Sequence, residues 1–295
     1  MFARMARRPG TGPYRDYYER RPELRAGDDR LRGLPPLLGP GGRLFDPVLS
    51  PAAERLFDEI PELTPDEAVV AAWRPRLEGA ADPGRLIRTM VGELGAVAVG
   101  VTPLDPVFVY TAKGRHDSDY GRSVELDHVT AVVFLVEMDF DAMQRAPMAE
   151  VIVESARQYR RAAEIAMTAA AVLEACGHSA RAHFDAAYDV ILPPLAVCAG
   201  LGELGRNNIL IADRYGSRVR IGAVTTDLRL DADSPVSLGA DHFCGLCRKC
   251  SDTCPSGALS GGDKEFIRGV WKWPTHVERC YAYWRVTGTD CGVCM

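Results

Sequence analysis

The sequence predicts a mixed α/β or α+β domain followed by a small cysteine-rich module. Segments with the apolar spacing of helices alternate with segments typical of strands through the middle of the chain. The composition changes near Asp231, beyond which the chain consists of short loops, glycines and cysteines. Seven of the nine cysteines lie between Cys244 and Cys294, and such clustering indicates metal ligation rather than disulfides.

Residues 1–75 form the first predicted unit. They are rich in arginine, proline and glycine, so we expect a mostly irregular wrap around the core. Disorder is the alternative, but the segment carries aromatic residues that a solvated tail seldom has. These aromatic anchors are Tyr14, Tyr17, Tyr18 and Phe45.

The predicted core covers residues 76–232. Its predicted helices are Pro83–Leu94, Pro147–Cys176 and Pro193–Ala199, of which the second ends at Gly177 and the third at Gly200. Its predicted strands are Ala96–Thr102, Val107–Tyr110, His128–Glu137, Ala182–Asp185 and Ser217–Leu228. We expect His128–Glu137 to be buried and Ser217–Leu228 to face solvent on one side, because the latter alternates apolar and polar residues.

The overall composition argues against two classes of partner. There are 35 basic and 40 acidic residues, a net charge of −5, so the basic surplus of a nucleic-acid-binding protein is missing. No apolar stretch is long enough to span a membrane, and none follows the arginines at the N-terminus. We therefore expect no nucleic-acid partner, no transmembrane segment and a cytoplasmic protein.

The predicted module, residues 233–295, begins with the cysteine spacing of bacterial ferredoxins. The run CGLCRKCSDTCP, from Cys244 to Pro255, has the pattern C-x2-C-x2-C-x3-C-P. In this pattern three cysteines bind one [4Fe–4S] cluster and the fourth binds another cluster. Zinc is the alternative, but structural zinc sites prefer two C-x2-C pairs separated by a longer loop.

A second cysteine group can complete the other cluster. The predicted ligands are Cys254, Cys280, Cys291 and Cys294 for the second cluster, and Cys244, Cys247 and Cys250 for the first. The first cluster lacks a fourth cysteine, which would follow Cys294 by three residues in a ferredoxin arrangement. We therefore expect the chain to be a fragment, with a three-ligated cluster as the alternative. The remaining cysteines, Cys176 and Cys198, are predicted to be small buried thiols.

The segment AGLGELGRNN, from Ala199 to Asn208, is a candidate ligand-binding loop. Its glycines, Gly200, Gly202 and Gly205, allow the backbone to approach a flat or bulky ligand. Their spacing matches the dinucleotide-binding pattern G-x-G-x-x-G, but that pattern follows a strand, whereas a predicted helix precedes these glycines. A helix C-cap followed by a turn is the alternative interpretation.

Almost the whole chain resembles the corrinoid-dependent reductive dehalogenases. The resemblance rests on PPLAVCAGLGELGRNNILIADRYGSRVRIGAVTTDLRL, on both cysteine groups, and on FARMARRPGTGPYRDYYERRPELRAGDDRLR and LGAVAVGVTPLDPVFVYTAKGR further upstream. Epoxyqueuosine reductase is a close relative of this family. Its glycine motif typically reads Gly-Trp-x-Gly-Lys-Asn, where this chain has GELGRN, and its upstream Asp-Thr-Gly segment does not occur before Ala199.

The resemblance implies a nitroreductase-like, corrinoid-binding core with a ferredoxin-like 2×[4Fe-4S] module. The implied reaction is reductive dehalogenation of an organohalide at a corrinoid (cobalamin) cobalt centre fed by the two clusters. The resemblance implies a corrinoid whose lower base is displaced from cobalt. The chain has no Asp-x-His-x-x-Gly sequence, the usual donor of a histidine ligand to cobalt, and this absence is consistent with such a corrinoid. The implied corrinoid contacts are Gly200, Leu201, Gly202, Glu203, Gly205 and Asn207. The implied electron donor is a ferredoxin, a flavodoxin or a reductase domain. Respiratory members of the family carry a twin-arginine export signal, and other members stay in the cytoplasm. We expect a cytoplasmic protein on the condition that no export signal precedes residue 1.

The resemblance also places the family's catalytic tyrosine at Tyr110. A tyrosine has a reference pKa of about 10, so a neighbouring cation is needed to stabilise the phenolate. Lys113 and Arg115 follow closely in the sequence. The family takes its basic partner from the helix after the central strand, which carries Arg157, Arg160 and Arg161 here but has Glu174 where relatives often show an arginine. We predict Tyr110 and Arg206 as catalytic residues.

Two other functions are compatible with these residues. The first is an epoxyqueuosine reductase-like corrinoid and iron–sulfur reductase with a diverged glycine motif. The second is a non-catalytic iron–sulfur electron-transfer protein, whose large domain would serve to dock a partner.

Overall fold

The computed structural model describes residues 1–267 and 269–295. The chain begins with the α-helices α1 (Phe2–Ala6), α2 (Gly12–Glu19), α3 (Pro22–Arg32), α4 (Leu49–Glu59) and α5 (Glu67–Glu78). The helices that follow are α6 (Pro83–Glu93), α7 (Phe140–Met143), α8 (Ala149–Ala175), α9 (Leu192–Cys198), α10 (Ala240–Leu246), α11 (Lys249–Asp252) and α12 (Val277–Thr287). The strands are β1 (Ala98–Pro103), β2 (Thr130–Glu137), β3 (Ala180–His183), β4 (Glu203–Leu204), β5 (Leu210–Ile211), β6 (Val219–Thr226), β7 (Glu265–Ile267) and β8 (Val270–Lys272).

The prediction of an irregular wrap over residues 1–75 is wrong, because α1 to α5 occupy much of this segment. Two of its prolines stand where helices begin: Pro13 is in the first turn of α2, and Pro22 is the first residue of α3, a position where the missing N–H is not needed. Thr11 caps α2 by accepting a hydrogen bond from the Tyr14 main-chain N–H. The aromatic side chains of Tyr14 and Tyr18 are buried, as expected of anchors.

The centre of the core is a four-stranded antiparallel sheet in the order β1-β2-β6-β3. Side chains alternate between its two faces, so Val132, Phe134 and Val136 of β2 pack in a cluster with α5, α6 and α8. The intervening residues of β2 pack in a second cluster with α9 and the β4–β5 hairpin. Both faces are therefore covered, which confirms the mixed α/β fold and the buried central strand.

Two details of the predicted strands are wrong. The strand Ser217–Leu228 was expected to face solvent on one side, but β6 lies between β2 and β3 and is largely buried. The strand Val107–Tyr110 is instead a short 3-10 helix, Pro106–Phe108, followed by an isolated bridge at Val109. Asp105 favours this turn, because its side chain accepts a hydrogen bond from the Val107 main-chain N–H.

The long helix α8 crosses one face of the sheet and ends as predicted. Gly177 follows it with φ +87°, a left-handed conformation that glycine adopts without steric cost. The predicted helices Pro83–Leu94 and Pro193–Ala199 correspond to α6 and α9. Among the described residues, none of the helices has the combination of length and apolarity that a membrane span requires.

Candidate functional site

A cavity of about 540 Å³ lies where the core meets the cysteine-rich segment. Ile152 and Tyr159 of α8 and Arg220 of β6 line its core side. Four cysteines line its other side: Cys254, Cys280, Cys291 and Cys294. These are the four cysteines that the spacing assigns to the second cluster. Their convergence on one cavity supports that assignment, which stays a prediction.

Cys254 follows α11 and is surrounded by hydrogen-bond donors. Its sulfur lies 3.3 Å from Ser256 Oγ. Burial acts to raise the pKa of this thiol, but hydrogen bonds from Ser256 and from the main-chain N–H groups of Leu259, Ala258 and Ser256 lower it overall. This surrounding favours a thiolate, the form of cysteine that binds metal.

Burial is the main influence on the pKa values of the other cysteines of this set. Burial, followed by the neighbouring Cys291 and Cys254, raises the pKa of Cys280 to about 11. Burial and the neighbouring cysteines raise the pKa of Cys294 to about 12. Cysteines with pKa values raised in this way need added positive charge to ionise together, and the irons of a cluster would supply it. The donor set therefore fits an iron–sulfur cluster.

The first cysteine run lies on two short helices. Cys244 is buried in α10, Cys247 ends that helix, and Cys250 lies in α11. Burial raises the pKa of Cys250, and the nearby Cys244 raises it further. Among the described residues, no group of three or more His, Cys, Asp or Glu side chains is placed to hold a single metal ion.

The glycines of the candidate loop are required by close contacts with neighbouring segments, β5 and the residues before α10. Gly200 follows α9 with φ +73°, and a Cβ there would lie 2.6 Å from the Ser234 carbonyl oxygen. Gly202 has φ +153°, and its Cβ would lie 2.2 Å from the Ile211 carbonyl oxygen. A Cβ on Gly205 would lie 2.7 Å from Ile211 Cδ1. A helix C-cap followed by a turn, the alternative interpretation, is the structure observed here.

The polar side chains of this loop bind the cysteine-rich segment. The Glu203 carboxylate accepts hydrogen bonds of 2.8 Å from the main-chain N–H groups of Leu238 and Ala240, where α10 begins. Asn208 Nδ2 donates to the Trp273 carbonyl at 2.8 Å and to Thr275 Oγ1 at 2.7 Å. The loop therefore joins the core to the module, a role that the sequence patterns did not indicate.

Among the polar side chains of the loop that bind the module, Arg206 is the most buried. Its guanidinium donates to the carbonyl oxygens of Cys244 at 3.0 Å, Ser260 at 3.0 Å and Gly262 at 2.8 Å. It also lies over the Trp273 ring, 4.8 Å from the centroid. These contacts give Arg206 a structural explanation, and its catalytic role stays a prediction.

Asn207 is the one predicted corrinoid contact that lines the cavity within the described part of the chain. Its Nδ2 donates to the Cys294 carbonyl oxygen at 2.7 Å, and its Oδ1 accepts from the Ile209 main-chain N–H at 3.1 Å. The corrinoid roles of the loop residues remain predictions.

Tyr110 lies beside Asp189 and is 39% exposed. Its main-chain N–H donates to the Asp189 carbonyl at 2.8 Å, and its ring lies 5.9 Å from that of Tyr188. Burial raises the pKa of Tyr110, and Tyr188 raises it further. The cations expected near Tyr110 are paired with carboxylates, Lys113 with Asp189 and Arg115 with Asp185. Tyr110 does not line the cavity within the described residues, whereas Arg115 and Asp185 do.

The arginines of α8 lie away from the cysteines. Arg157, Arg160 and Arg161 line a separate cavity of about 190 Å³. Arg160 is paired with Glu59 at 3.4 Å and with Glu164 at 3.3 Å. These arginines are therefore poor candidates for a group that acts in the cavity at the cysteines.

The sequence patterns did not indicate a buried polar group on the core side of the cavity. Arg220 Nη2 donates to Ser155 Oγ at 2.6 Å and lies 3.4 Å from an Asp290 carboxylate oxygen. The Arg220 guanidinium also lies 4.7 Å from the Tyr159 ring centroid. Arg220 is the one charged residue of β6, and this isolated charge was the available signal.

No family model matches the chain. Among curated proteins, it is 28% identical to a tetrachloroethene reductive dehalogenase of Desulfitobacterium hafniense over 268 residues, covering 75% of this chain and 48% of that protein. It is 35% identical to an epoxyqueuosine reductase of Lactococcus garvieae over 89 residues, covering 30% of this chain and 21% of that protein. The chain spans about half the length of the curated dehalogenases it matches most fully.

Solved structures give the same result. A reductive dehalogenase, described as suggesting a mechanism for B12-dependent dehalogenation, is 30% identical with a TM-score of 0.67 and covers 86% of this chain and 38% of its own. The catabolic reductive dehalogenase NpRdhA in complex with 3-bromo-4-hydroxybenzoic acid is 30% identical with a TM-score of 0.63, covering 82% of this chain and 37% of its own. The predicted resemblance to reductive dehalogenases is confirmed in sequence and in fold.

Proposed function

We propose that the chain is the corrinoid-binding and iron–sulfur part of a reductive dehalogenase that replaces a halogen of an organohalide by hydrogen. The observation that carries this proposal is the cavity between core and module. Four cysteines of one predicted cluster line it together with Tyr159 and Arg220 of the core. An electron carrier held by these cysteines would therefore border directly on a core cavity, as a reductase requires.

The finer assignment of the fold belongs to this proposal. Residues 76–232 form the nitroreductase-like, corrinoid-binding core, and residues 233–295 form the ferredoxin-like module with two [4Fe-4S] clusters. Cys254, Cys280, Cys291 and Cys294 hold one cluster. Cys244, Cys247 and Cys250 contribute to the other. A ferredoxin, a flavodoxin or a reductase domain supplies the electrons.

The corrinoid supplies the cobalt chemistry that breaks the carbon–halogen bond. The reaction consumes an electron pair and a proton and releases halide, so the protein must deliver a proton. Tyr110 is the proposed donor, because a phenol whose pKa is not below its ordinary value of about 10 holds its proton in the resting protein. Arg115 is the proposed source of positive charge near the substrate, because it lines the cavity and follows Tyr110 in the same segment.

Metal analysis and halide release test the proposal. The protein is reconstituted anaerobically with iron, sulfide and cobalamin, then reduced chemically and supplied with tetrachloroethene or 3-bromo-4-hydroxybenzoic acid. We expect bound cobalt, bound iron and release of halide. A Cys254→Ser variant, which removes one proposed ligand, is expected to lose iron and halide release together. Failure of the wild-type chain to retain cobalt would refute the proposal.

The same preparation separates the two alternatives. The local similarity to epoxyqueuosine reductase makes an epoxide-reducing enzyme the second candidate. Restoration of queuosine in a deficient strain, without halide release in the assay, would favour that enzyme. Reducible clusters without any bound corrinoid would favour a non-catalytic electron-transfer protein.

A further inference from the structure

The loop of residues 288–295, here called the second cysteine loop, is bonded to the core by buried side chains. Thr289 is fully buried, and its hydroxyl donates to the Pro147 carbonyl at 2.7 Å. The same hydroxyl accepts from the Cys291 main-chain N–H at 3.3 Å. Because a threonine hydroxyl can donate and accept at once, Thr289 links the backbone of a predicted ligand to the segment that precedes α8.

The neighbouring Asp290 makes a second connection. Its carboxylate accepts a hydrogen bond from Ser155 of α8 and lies 3.4 Å from Arg220 Nη2 of β6. Ser155 in turn accepts a hydrogen bond of 2.6 Å from Arg220. Ser155 is fully buried, and Asp290 and Arg220 are nearly so, at 11% and 13% side-chain exposure. Bonds of this kind are directional and fix the loop against both core elements.

The backbone of the loop has an uncommon conformation that the core holds in place. Cys291 has φ +62°, a left-handed conformation that residues other than glycine rarely adopt. Gly292 follows with φ +74°, and a Cβ there would lie 2.8 Å from Val151 Cγ1 of α8. At the far end of the loop, Asn207 donates to the Cys294 carbonyl. The direction of both cysteines therefore depends on contacts outside the module.

The first cysteine run is held differently. Cys244 and Cys250 lie on the short helices α10 and α11, which are bound by side chains of both the core and the module. Thr253, for example, donates to the Lys249 carbonyl one turn earlier at 2.8 Å. From the core, Arg206 donates to the Cys244 and Gly245 carbonyls, and Glu203 accepts from the Ala240 main-chain N–H at the start of α10.

We propose that Thr289 and Asp290 are positioning residues for the second cluster. They hold Cys291 and Cys294 against α8 and β6 before iron is bound, so the core sets the geometry of this cluster. The inference rests on the proposed iron–sulfur function. It goes further in assigning to core contacts the backbone conformation of the loop that carries two ligands of the second cluster.

Hydrogen exchange of the iron-free chain tests the positioning directly. Thr289→Val removes the hydroxyl with little change in shape, and we expect amide exchange in residues 288–295 to become about tenfold faster. Thr289→Ser retains a hydroxyl and is expected to restore slow exchange. Thr253→Val, which changes the residue next to Cys254 in the same way, is expected to leave residues 288–295 unchanged.

Reconstitution then tests the effect on the cluster. We expect Thr289→Val and Asp290→Asn to lose about half of the bound iron and to shift or abolish one of two electron paramagnetic resonance signals. Asp252→Asn, an exposed acid near Cys254, is the control and is expected to retain both signals. Wild-type exchange and iron content in both Thr289→Val and Asp290→Asn would overturn the inference. A wild-type chain that binds no iron would refute the proposed function, while the exchange measurement would still decide the positioning.

Discussion

Replacement of Arg206 by methionine is expected to weaken the attachment of the cysteine module to the core. The buried guanidinium donates to four main-chain carbonyls of the module, the longest of these hydrogen bonds being 3.5 Å to Gly245, and lies over Trp273. Hydrogen bonds from a charged donor contribute about 1.5–3 kcal/mol each, and the cost of burying the charge offsets part of their sum. Methionine fills part of the space but leaves the carbonyls without a donor. We expect a loss of about 3–5 kcal/mol in the free energy of unfolding.

Urea denaturation followed by tryptophan fluorescence measures this change. The matched control is Arg248→Met, because Arg248 is an exposed arginine of the same module with one ion pair of 4.0 Å to Asp252. That exposed pair is expected to contribute no more than about 1 kcal/mol. If Arg206→Met kept wild-type stability and iron but abolished halide release, the structural explanation would be refuted. The sequence-based prediction of a catalytic Arg206 would then stand.

Three further predictions concern the core. Burial of His183 lowers its pKa from 6.5 to about 3, so the unfolded chain takes up the proton first and stability falls as the pH falls between these values. His183→Gln should remove about 1 kcal/mol of this loss between about pH 6 and pH 5 in iron-free protein, and an unchanged pH dependence would contradict this. Gly202→Ala should lower the free energy of unfolding by about 2–4 kcal/mol, because the added Cβ would collide with the Ile211 carbonyl. Gly216→Ala, whose Cβ meets open space, should lower it by about 1 kcal/mol. Equal shifts of the melting temperature in the two variants would disprove the steric argument. Tyr110→Phe should retain cobalt and iron but lower halide release about 100-fold or more, and a wild-type rate would eliminate Tyr110 as the proton donor.

The predicted elements of the core follow from local patterns. A strand buried on both faces reads as a continuous apolar run, and β2 has this signature. The helix α8 ends at a glycine because no other residue adopts the left-handed C-cap at so little cost. The cysteine spacing is equally local, since the ligands of one run must reach one cluster from a short loop.

Other local patterns were misleading for physical reasons. The prolines and glycines of residues 1–75 suggested irregular structure, yet a proline in the first turn of a helix is favourable, as Pro22 in α3 shows. The alternation in β6 suggested a solvent-facing strand. Its neighbours β2 and β3 and the clusters on both faces bury it, which no pattern within the strand can reveal.

The sequence by itself predicted which cysteines belong together and determined that they follow a mixed α/β domain, because spacing and periodicity are properties of short segments. The tertiary structure alone decided what surrounds the cysteines. Tyr159, Arg220 and Asp290 lie far apart in the chain and meet at one cavity. Arg206 acts through main-chain carbonyls, which every residue possesses, so its partners have no sequence signature. The contact between the core and the second cysteine loop has no sequence signature either, because Thr289 binds the main-chain carbonyl of Pro147.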